Sequence, residues 1–274
     1  MCGVACAAIY GVGIDRHWLE ISHYDVRLRG LGADLDGFRV AQLSDIHIDE
    51  FTEPYFVREA VDHINRLAPD AVFLTGDFVT HQMGPKKFAQ GSAWQCANIL
   101  ADLKCPLRYA IFGNHDVLVG ERVVGAALKD NGITVLRNWY TPIERGNARL
   151  WLAGLDDAAE AAPDPGAAIP ESIRGRTREP VILLCHEPDY ADQLLRHPAG
   201  QAVSLMLSGH THGGQVRLPF LPLMHLPRLG RRYIAGWFQL GSMQLFVNRG
   251  LGTVGVPVRC NCPPELTVFT LRSS

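Results

Sequence analysis

Residues 38–47 read FRVAQLSDIH, an apolar run that ends in Asp45 and His47. The run from Phe38 to Leu43 has the length and composition of a buried β-strand. Ligand sites in open α/β sheets lie beyond the carboxyl ends of the strands. A buried strand that delivers a carboxylate and an imidazole at its end therefore predicts a polar site at one edge of a sheet.

Four later apolar runs end in the same way, each leading into Asp, Asn or His. These runs are Ala71–Leu74 before Gly76-Asp77, Leu107–Phe112 before Gly113-Asn114-His115-Asp116, Val181–Cys185 before His186, and Val203–Leu207 before Gly209-His210-Thr211-His212. A lone D-x-H or Gly-Asp is weak evidence, and a single buried His is more often a packed core residue. Five such strand ends in order are a specific pattern, and we expect their side chains to converge in one crevice.

The side chains at these strand ends have the chemistry of a two-metal hydrolase. Side chains two apart on extended backbone point the same way, so we expect Asp45 and His47 to face the site together, and likewise His210 and His212. Imidazole nitrogens combined with carboxylate oxygens suit Mn, Fe, Zn or Co better than Ca or Mg. Two ions need a shared carboxylate, and Asp77 is the natural candidate because it stands alone beside a glycine.

The motifs D-x-H, G-D, G-N-H-D, H and G-H-x-H, in this order, resemble those of the calcineurin-like metallophosphoesterase superfamily over residues 38–271. The resemblance implies an α/β fold, a four-layer α/β/β/α sandwich, that hydrolyses a phosphate ester or a pyrophosphate. It implies two divalent metal ions, with Mn favoured, and a metal-bridging hydroxide as nucleophile. The implied ligands of one ion are Asp45, His47, Asp77 and His212. The implied ligands of the other are Asp77, Asn114, His186 and His210.

The resemblance also implies that His115 faces the leaving group and acts as a general acid. Asp116 could orient His115, or it could cap the start of a helix. His81, four residues after Asp77, could line the site or lie on the surface. We therefore take His115 and Asp116 as the candidate catalytic pair.

Two further segments resemble one bacterial branch of the superfamily, namely GHTHGGQVRLP (209–219) and RCNCPPEL (259–266). That branch is similar to membrane-associated or exported phosphoesterases, some of which act on UDP-2,3-diacylglucosamine in lipid A biosynthesis. Between Gln193 and Pro264 there is no Asp or Glu, while seven arginines and the apolar segment 218–229 lie there. This composition predicts a basic, apolar lip for a lipid-linked substrate or a membrane surface. The alternative is a buried, sheet-rich half of the core with arginines on its rims.

The charge of the chain bears on its partners. A formal net charge of -2 supplies no basic field for nucleic acid, so nucleic acid is an unlikely partner and a nuclease of the same fold is disfavoured. A catalytically weak scaffold that binds a protein partner is a further alternative, but such scaffolds typically lose metal-binding histidines. The expected partner is a phosphate-ester or pyrophosphate substrate.

Residues 1–37 are predicted to form an N-terminal segment, and residues 38–274 the catalytic domain. Residues 1–14 are uncharged and apolar, and they could be the remnant of a signal or anchor or an ordinary strand. We therefore expect a membrane-associated or exported protein, with a cytoplasmic one as the alternative. Helical periodicity predicts helices over 53–67 and 88–103. The pattern of apolar residues predicts further strands over 19–28, 150–153, 244–248 and 266–271. The proline and alanine content of 158–170 predicts a surface loop.

Overall fold

The computed structural model describes residues 15–49, 51–81, 86–174, 179–221, 223 and 226–274. The predicted anchor at residues 1–14 lies outside the described residues, as do Pro222, Met224 and His225 of the apolar segment. The described strands are β1 (Glu20–Leu28), β2 (Arg39–Leu43), β3 (Ala71–Leu74), β4 (Leu107–Ala110), β5 (Thr134–Val135), β6 (Trp139–Arg145), β7 (Ala148–Gly154), β8 (Val181–Leu184), β9 (Val203–Ser208), β10 (Gly236–Leu240), β11 (Met243–Val247) and β12 (Glu265–Ser273). The described α-helices are α1 (Pro54–Leu67), α2 (Lys86–Leu100), α3 (Asn114–Asp130), α4 (Pro165–Ala168), α5 (Glu171–Arg174) and α6 (Ala191–Leu194).

The strands form two six-stranded sheets. The first sheet has the order β1-β12-β2-β3-β4-β5, and the second has the order β10-β11-β9-β8-β7-β6. In the first sheet β2 to β5 run parallel, and in the second β7, β8, β9 and β11 run parallel. The predicted strand over 19–28 is β1, which pairs in parallel with β12. The carboxyl ends of the central strands of each sheet thus lie at one edge.

Alternation along the central strands divides the apolar side chains between three layers of core. In β3, Val72 and Leu74 pack with helices α1 to α3, whereas Ala71 and Phe73 pack between the two sheets. The outer face of the second sheet packs against the short helices, for example Met206 with Ala168. This arrangement confirms the predicted four-layer α/β/β/α sandwich.

Helix α3 and strand β6 were not predicted. Several valines and two glycines in α3 lower its helix propensity, and Gly120 has a non-helical φ of 132° within it. The helix forms because Val119, Val124 and Leu128 bury their side chains in the layer of core beneath the helices. Tertiary packing therefore outweighs local propensity here.

The prediction of a surface loop over residues 158–170 is wrong for its second half. Residues 165–168 form α4, which begins where the Asp164 side chain accepts the backbone N–H of Ala167 at 3.0 Å. Ala168 and Ile169 are fully buried against the second sheet. The alanine and proline content is typical of a loop, but the small side chains let this segment pack closely on the sheet.

In the part of the chain that the structure describes, none of the helices has the length and apolar composition needed to cross a membrane.

Candidate metal centre

The loops that follow β2 and β3 are joined by backbone hydrogen bonds at the carboxyl edge of the first sheet. Asp45 N–H donates to the Gly76 carbonyl at 2.9 Å, and His47 N–H donates to the Asp77 carbonyl at 3.0 Å. The loop after β9 joins them, because both carboxylate oxygens of Asp45 accept the backbone N–H of His210, at 2.9 and 3.0 Å. Three strand ends are thereby held together through main-chain donors.

The backbone at these strand ends is left-handed. Five of the seven predicted ligands have φ between 49° and 71°, namely Asp45, His47, Asp77, His210 and His212. Non-glycine residues in this conformation cost on the order of 1–3 kcal/mol each and cluster at functional sites. The argument from side-chain alternation along a strand is therefore wrong for these residues. Strand β2 ends at Leu43 and β9 at Ser208, before the ligands begin. The left-handed backbone beyond the strands sets the direction of the ligand side chains.

The side chains form two groups that could each hold a cation. One group is Asp45, His47 and His212, and another is Asp77, His186 and His210; within each, the ligand atoms lie within 4.8 Å of one another. A third group among the described residues joins His47 and Asp77 to His115, at the same spacing. His210 and His212 thus belong to different groups, as the resemblance implied when it gave His212 to one ion and His210 to the other.

Asp77 lies between the two groups. Its Oδ2 atom is 3.4 Å from Nε2 of His47 in the first group and 3.1 Å from Nε2 of His186 in the second. Its Oδ1 atom accepts the backbone N–H of His115 at 2.9 Å. This position is the one that a carboxylate shared by two ions needs.

Buried polar atoms without partners test whether a pair of cations fits. Oδ1 of Asn114 is buried and has no hydrogen-bond partner. Nε2 of His47 and Nε2 of His186 are buried as well, and their contacts with Oδ2 of Asp77, at 3.4 and 3.1 Å, do not have hydrogen-bond geometry. An unsatisfied buried polar atom costs about 1–3 kcal/mol, so three in one place indicate a missing binding partner. Imidazole nitrogens and an amide oxygen are lone-pair donors, and with the buried carboxylates of Asp45 and Asp77 they fit divalent metal ions.

Carbonyl groups fix the orientation of two imidazole rings. Nδ1 of His186 lies 2.7 Å from the Thr75 carbonyl, and Nε2 of His210 lies 2.7 Å from the Arg228 carbonyl. A carbonyl can only accept, so each of these nitrogens carries the hydrogen. The other nitrogen of each ring then has a free lone pair, as a metal ligand requires.

Burial and neighbouring charges shift the pKa values of the site. Burial would raise the pKa of Asp77, but the nearby rings of His186 and His115 hold it well below its usual value. Burial lowers the pKa of His210 to about 4 and that of His212 well below its usual value. The carboxylate of Asp77 is thus ionised and the rings of His210 and His212 are neutral near pH 7, which are the forms that bind metal. Burial would lower the pKa of His47 and of His186, but Asp77 and Asp45 raise it, so metal binding there would release protons.

His115 lies at the mouth of the site, half-buried, with its ring centroid 4.7 Å from that of His47. Its Nδ1 atom accepts the backbone N–H of His81 at 2.8 Å. Burial lowers the pKa of His115 to about 4. The ring is therefore neutral near pH 7 and carries its hydrogen on Nε2. His81 is exposed and contributes to the site through its backbone.

Of the two alternatives for Asp116, the structure favours a role at the start of the helix over the orientation of His115. The Asp116 carboxylate accepts the backbone N–H groups of Asp77, Phe78 and Gly113, at 2.8 to 2.9 Å. It is the third residue of α3, and its bond with the Gly113 N–H is the one half of a capping box that is open to a glycine. Its role is to hold the loop that carries Asp77 against the start of α3, because a buried carboxylate stabilises backbone donors there.

Other residues around the site gave no signal in the sequence analysis. Arg259, in the segment RCNCPPEL, is fully buried, and its guanidinium donates to the carbonyls of Cys262 and Gly250, at 3.0 and 3.2 Å. One of its nitrogens lies 3.5 Å from Nδ1 of His212. A buried arginine is recognisable only from the fold, because its partners are carbonyl groups of irregular backbone.

The family model for calcineurin-like phosphoesterases matches residues 38–214, more than half of the chain. The chain belongs to this family. It is 33% identical to the uncharacterized metallophosphoesterase YkuE of Bacillus subtilis (strain 168), over 97% of this chain and 90% of that protein. It is 32% identical to phosphodiesterase YaeI of Escherichia coli (strain K12), over 93% of this chain and 88% of that protein.

One solved structure has a similar fold, and at this low sequence identity the similarity bears on the architecture and not on the activity. The NAD nucleotidase NadN of Haemophilus influenzae superposes with a TM-score of 0.51 at 12% identity, covering 78% of this chain and 45% of that one. Membership of the calcineurin-like phosphoesterase family, with relatives named for this activity, makes the chain a phosphoester hydrolase with residues able to hold divalent metal.

Proposed function

We propose that this chain is a dinuclear metal-dependent phosphodiesterase. The observation that carries the proposal is the pair of buried ligand groups with Asp77 between them, 3.4 Å from one and 3.1 Å from the other. The preference for a diester is supported by the 32% identity to a relative named a phosphodiesterase. The proposed ligands are Asp45, His47, Asp77, Asn114, His186, His210 and His212.

The bound ions would supply a water-derived nucleophile near neutral pH and would neutralise charge on the phosphoryl oxygens. The chain itself would stabilise the leaving oxygen through His115. Because Nδ1 of this ring accepts the His81 N–H, the hydrogen on Nε2 is the one available for donation. The neutral ring would donate this hydrogen in a hydrogen bond to the charge that develops on the leaving oxygen, and an alkoxide needs that stabilisation more than p-nitrophenolate does.

The proposal is tested by reconstitution. Protein stripped with a chelator should be inactive, and Mn²⁺, Zn²⁺, Co²⁺ or Fe²⁺ should restore activity as two equivalents bind, measured by mass spectrometry of metal content. Bis-p-nitrophenyl phosphate should be hydrolysed faster than p-nitrophenyl phosphate or pyrophosphate. Full activity with one equivalent would refute the dinuclear centre, and a preference for the monoester would refute the phosphodiesterase assignment.

We also propose that the substrate carries an apolar group that rests on residues 218–221. Leu218, Phe220 and Leu221 are exposed, Phe220 completely so. These residues begin the apolar segment 218–229, which adjoins the site at two points, because Leu223 packs against Gly214 and the Arg228 carbonyl contacts His210. Exposed apolar side chains beside a polar site are typical of a surface for an amphipathic ligand.

The arginines around this segment support a smaller basic surface than the sequence indicates. Arg232 pairs with Asp192 at 2.7 Å, Arg249 pairs with Glu265 at 3.2 Å, and Arg259 is buried among carbonyls. Arg228 and Arg231 are exposed, and the Arg228 carbonyl contacts His210. These two cations are the ones that we propose face an anionic substrate or lipid headgroup.

Acyl-chain dependence tests this second proposal. Each buried CH₂ contributes about 0.8 kcal/mol, so two extra methylenes should lower KM by roughly tenfold. The double variant Phe220→Ser/Leu221→Ser should abolish that dependence and leave hydrolysis of bis-p-nitrophenyl phosphate unchanged. Trp139→Ser, at another exposed aromatic residue, is the control. UDP-2,3-diacylglucosamine belongs in the substrate panel, and a KM independent of acyl length would refute the proposal.

A further inference from the structure

A chain of hydrogen bonds leads from the predicted ligand His47 to Asp49, which the sequence analysis did not select. Nδ1 of His47 lies 3.2 Å from the Thr80 hydroxyl oxygen. The Thr80 hydroxyl donates to Oδ2 of Asp49 at 2.6 Å. His47 is fully buried and Thr80 nearly so, so these contacts are shielded from competing water.

The fold brings Asp49 and Thr80 together through main-chain pairing. Ile48 and Val79 form a parallel bridge, and Ile48 N–H donates to the Phe78 carbonyl at 3.0 Å. The residues that follow the bridged pair on each strand are Asp49 and Thr80, which therefore lie side by side. Oδ1 of Asp49 accepts the backbone N–H groups of Phe51 and Thr52, at 2.7 and 2.9 Å.

The hydrogens available on these groups decide which atom donates and which accepts in the two hydrogen bonds. A carboxylate only accepts, and a threonine hydroxyl has one hydrogen to donate. The short contact with Asp49 uses that hydrogen, so the Thr80 oxygen can only accept from His47. Nδ1 of His47 must then carry a hydrogen. In a neutral ring Nε2 is left with a lone pair, and this is the buried atom that has no hydrogen-bond partner.

We propose that Thr80 and Asp49 are positioning residues that fix the tautomer and the orientation of His47 for metal binding. The inference rests on the proposed metal centre and goes beyond it, since neither residue is a ligand. A carboxylate that acts on a metal-binding imidazole typically accounts for 10- to 100-fold in metal affinity. Here the hydroxyl of Thr80 transmits that effect across one additional hydrogen bond.

Thr80→Val is the appropriate test, because valine matches threonine in shape and removes the hydroxyl. Replacing Asp49 would also release the Phe51 and Thr52 N–H groups, so its effect would be harder to interpret. In calorimetric titration of the chelator-stripped protein with Zn²⁺ or Mn²⁺, Thr80→Val should weaken one of the two binding events by roughly 10- to 100-fold. Thr80→Ser, which keeps the hydroxyl, should restore most of the affinity. Thr141→Val, the same change on β6, should have no effect.

A second readout follows the proton itself. In the Zn²⁺-loaded protein, nuclear magnetic resonance should show a slowly exchanging Nδ1 hydrogen on His47 that disappears in Thr80→Val. Unaltered affinity in Thr80→Val, or an equal loss in Thr80→Ser, would overturn the proposal. A lower unfolding temperature in chelator with unchanged metal affinity would also overturn it, because it would show a purely structural role. Failure of the unmutated protein to bind two ions would instead refute the metal centre.

Discussion

Gly113 lies against Asp77 and His186 of one ligand group, and replacing it with alanine should separate folding from metal binding. Its φ of −106° and ψ of 177° are extended values that any residue adopts. A Cβ built there would lie 2.3 Å from Oδ1 of Asp77 and 2.7 Å from Nε2 of His186. Ordinary contacts begin at 3.4 Å, so Gly113→Ala must displace the Asp77 carboxylate by about 1 Å.

A displacement of this size is large for a metal site. Misplacing a catalytic group by about 1 Å costs on the order of 100-fold in rate. Because Asp77 serves both ligand groups, we expect Gly113→Ala to lower kcat/KM for bis-p-nitrophenyl phosphate by at least about 100-fold and to reduce bound metal below two equivalents. In chelator the free energy of unfolding should fall only by the roughly 1–3 kcal/mol that overpacking of buried atoms costs, since the backbone of residue 113 is unstrained.

Gly91→Ala provides the matched control. Gly91 lies in α2, and a Cβ there would have no atom within 4 Å. The change should leave metal content and activity intact and raise the free energy of unfolding by about 0.4–1 kcal/mol, through the lower entropy of the unfolded chain. If Gly113→Ala binds two equivalents of metal and turns over normally, the close approach of Gly113 to Asp77 is not a constraint on the site.

Three further predictions concern the site. Asp77→Asn should weaken both metal-binding events and abolish activity, because it removes the shared charge; two full equivalents by mass spectrometry would contradict this. His115→Ala should keep both metals and lower kcat by roughly 10²–10³-fold for alkyl esters, the usual effect of removing one hydrogen-bond donor to developing charge, with a smaller loss for p-nitrophenyl esters; equal losses would exclude a role at the leaving oxygen. Metal at about 100 times its Kd should stabilise the folded protein by about 2.7 kcal/mol per site, seen as a higher unfolding temperature than in chelator.

The architecture was largely predictable because the central strands are short, apolar and followed by polar residues. Strands β2, β3, β8 and β9 and helix α1 were predicted within one or two residues. Local signals failed where packing decides, as in α3 with its internal glycines. They failed again at Ala168 and Ile169, whose small or apolar side chains are buried in a segment with the composition of a loop.

The sequence by itself determined which side chains stand at the strand ends, because strand length and the polar residue after it are local properties. Only the tertiary structure decided how they are aimed and held, because those contacts join distant parts of the chain. Asp45 accepts the N–H of His210, 165 residues later, and Asp116 accepts that of Asp77, 39 residues earlier. The left-handed turns and the link from Asp49 through Thr80 to His47 depend on such contacts, and no spacing in the sequence encodes them.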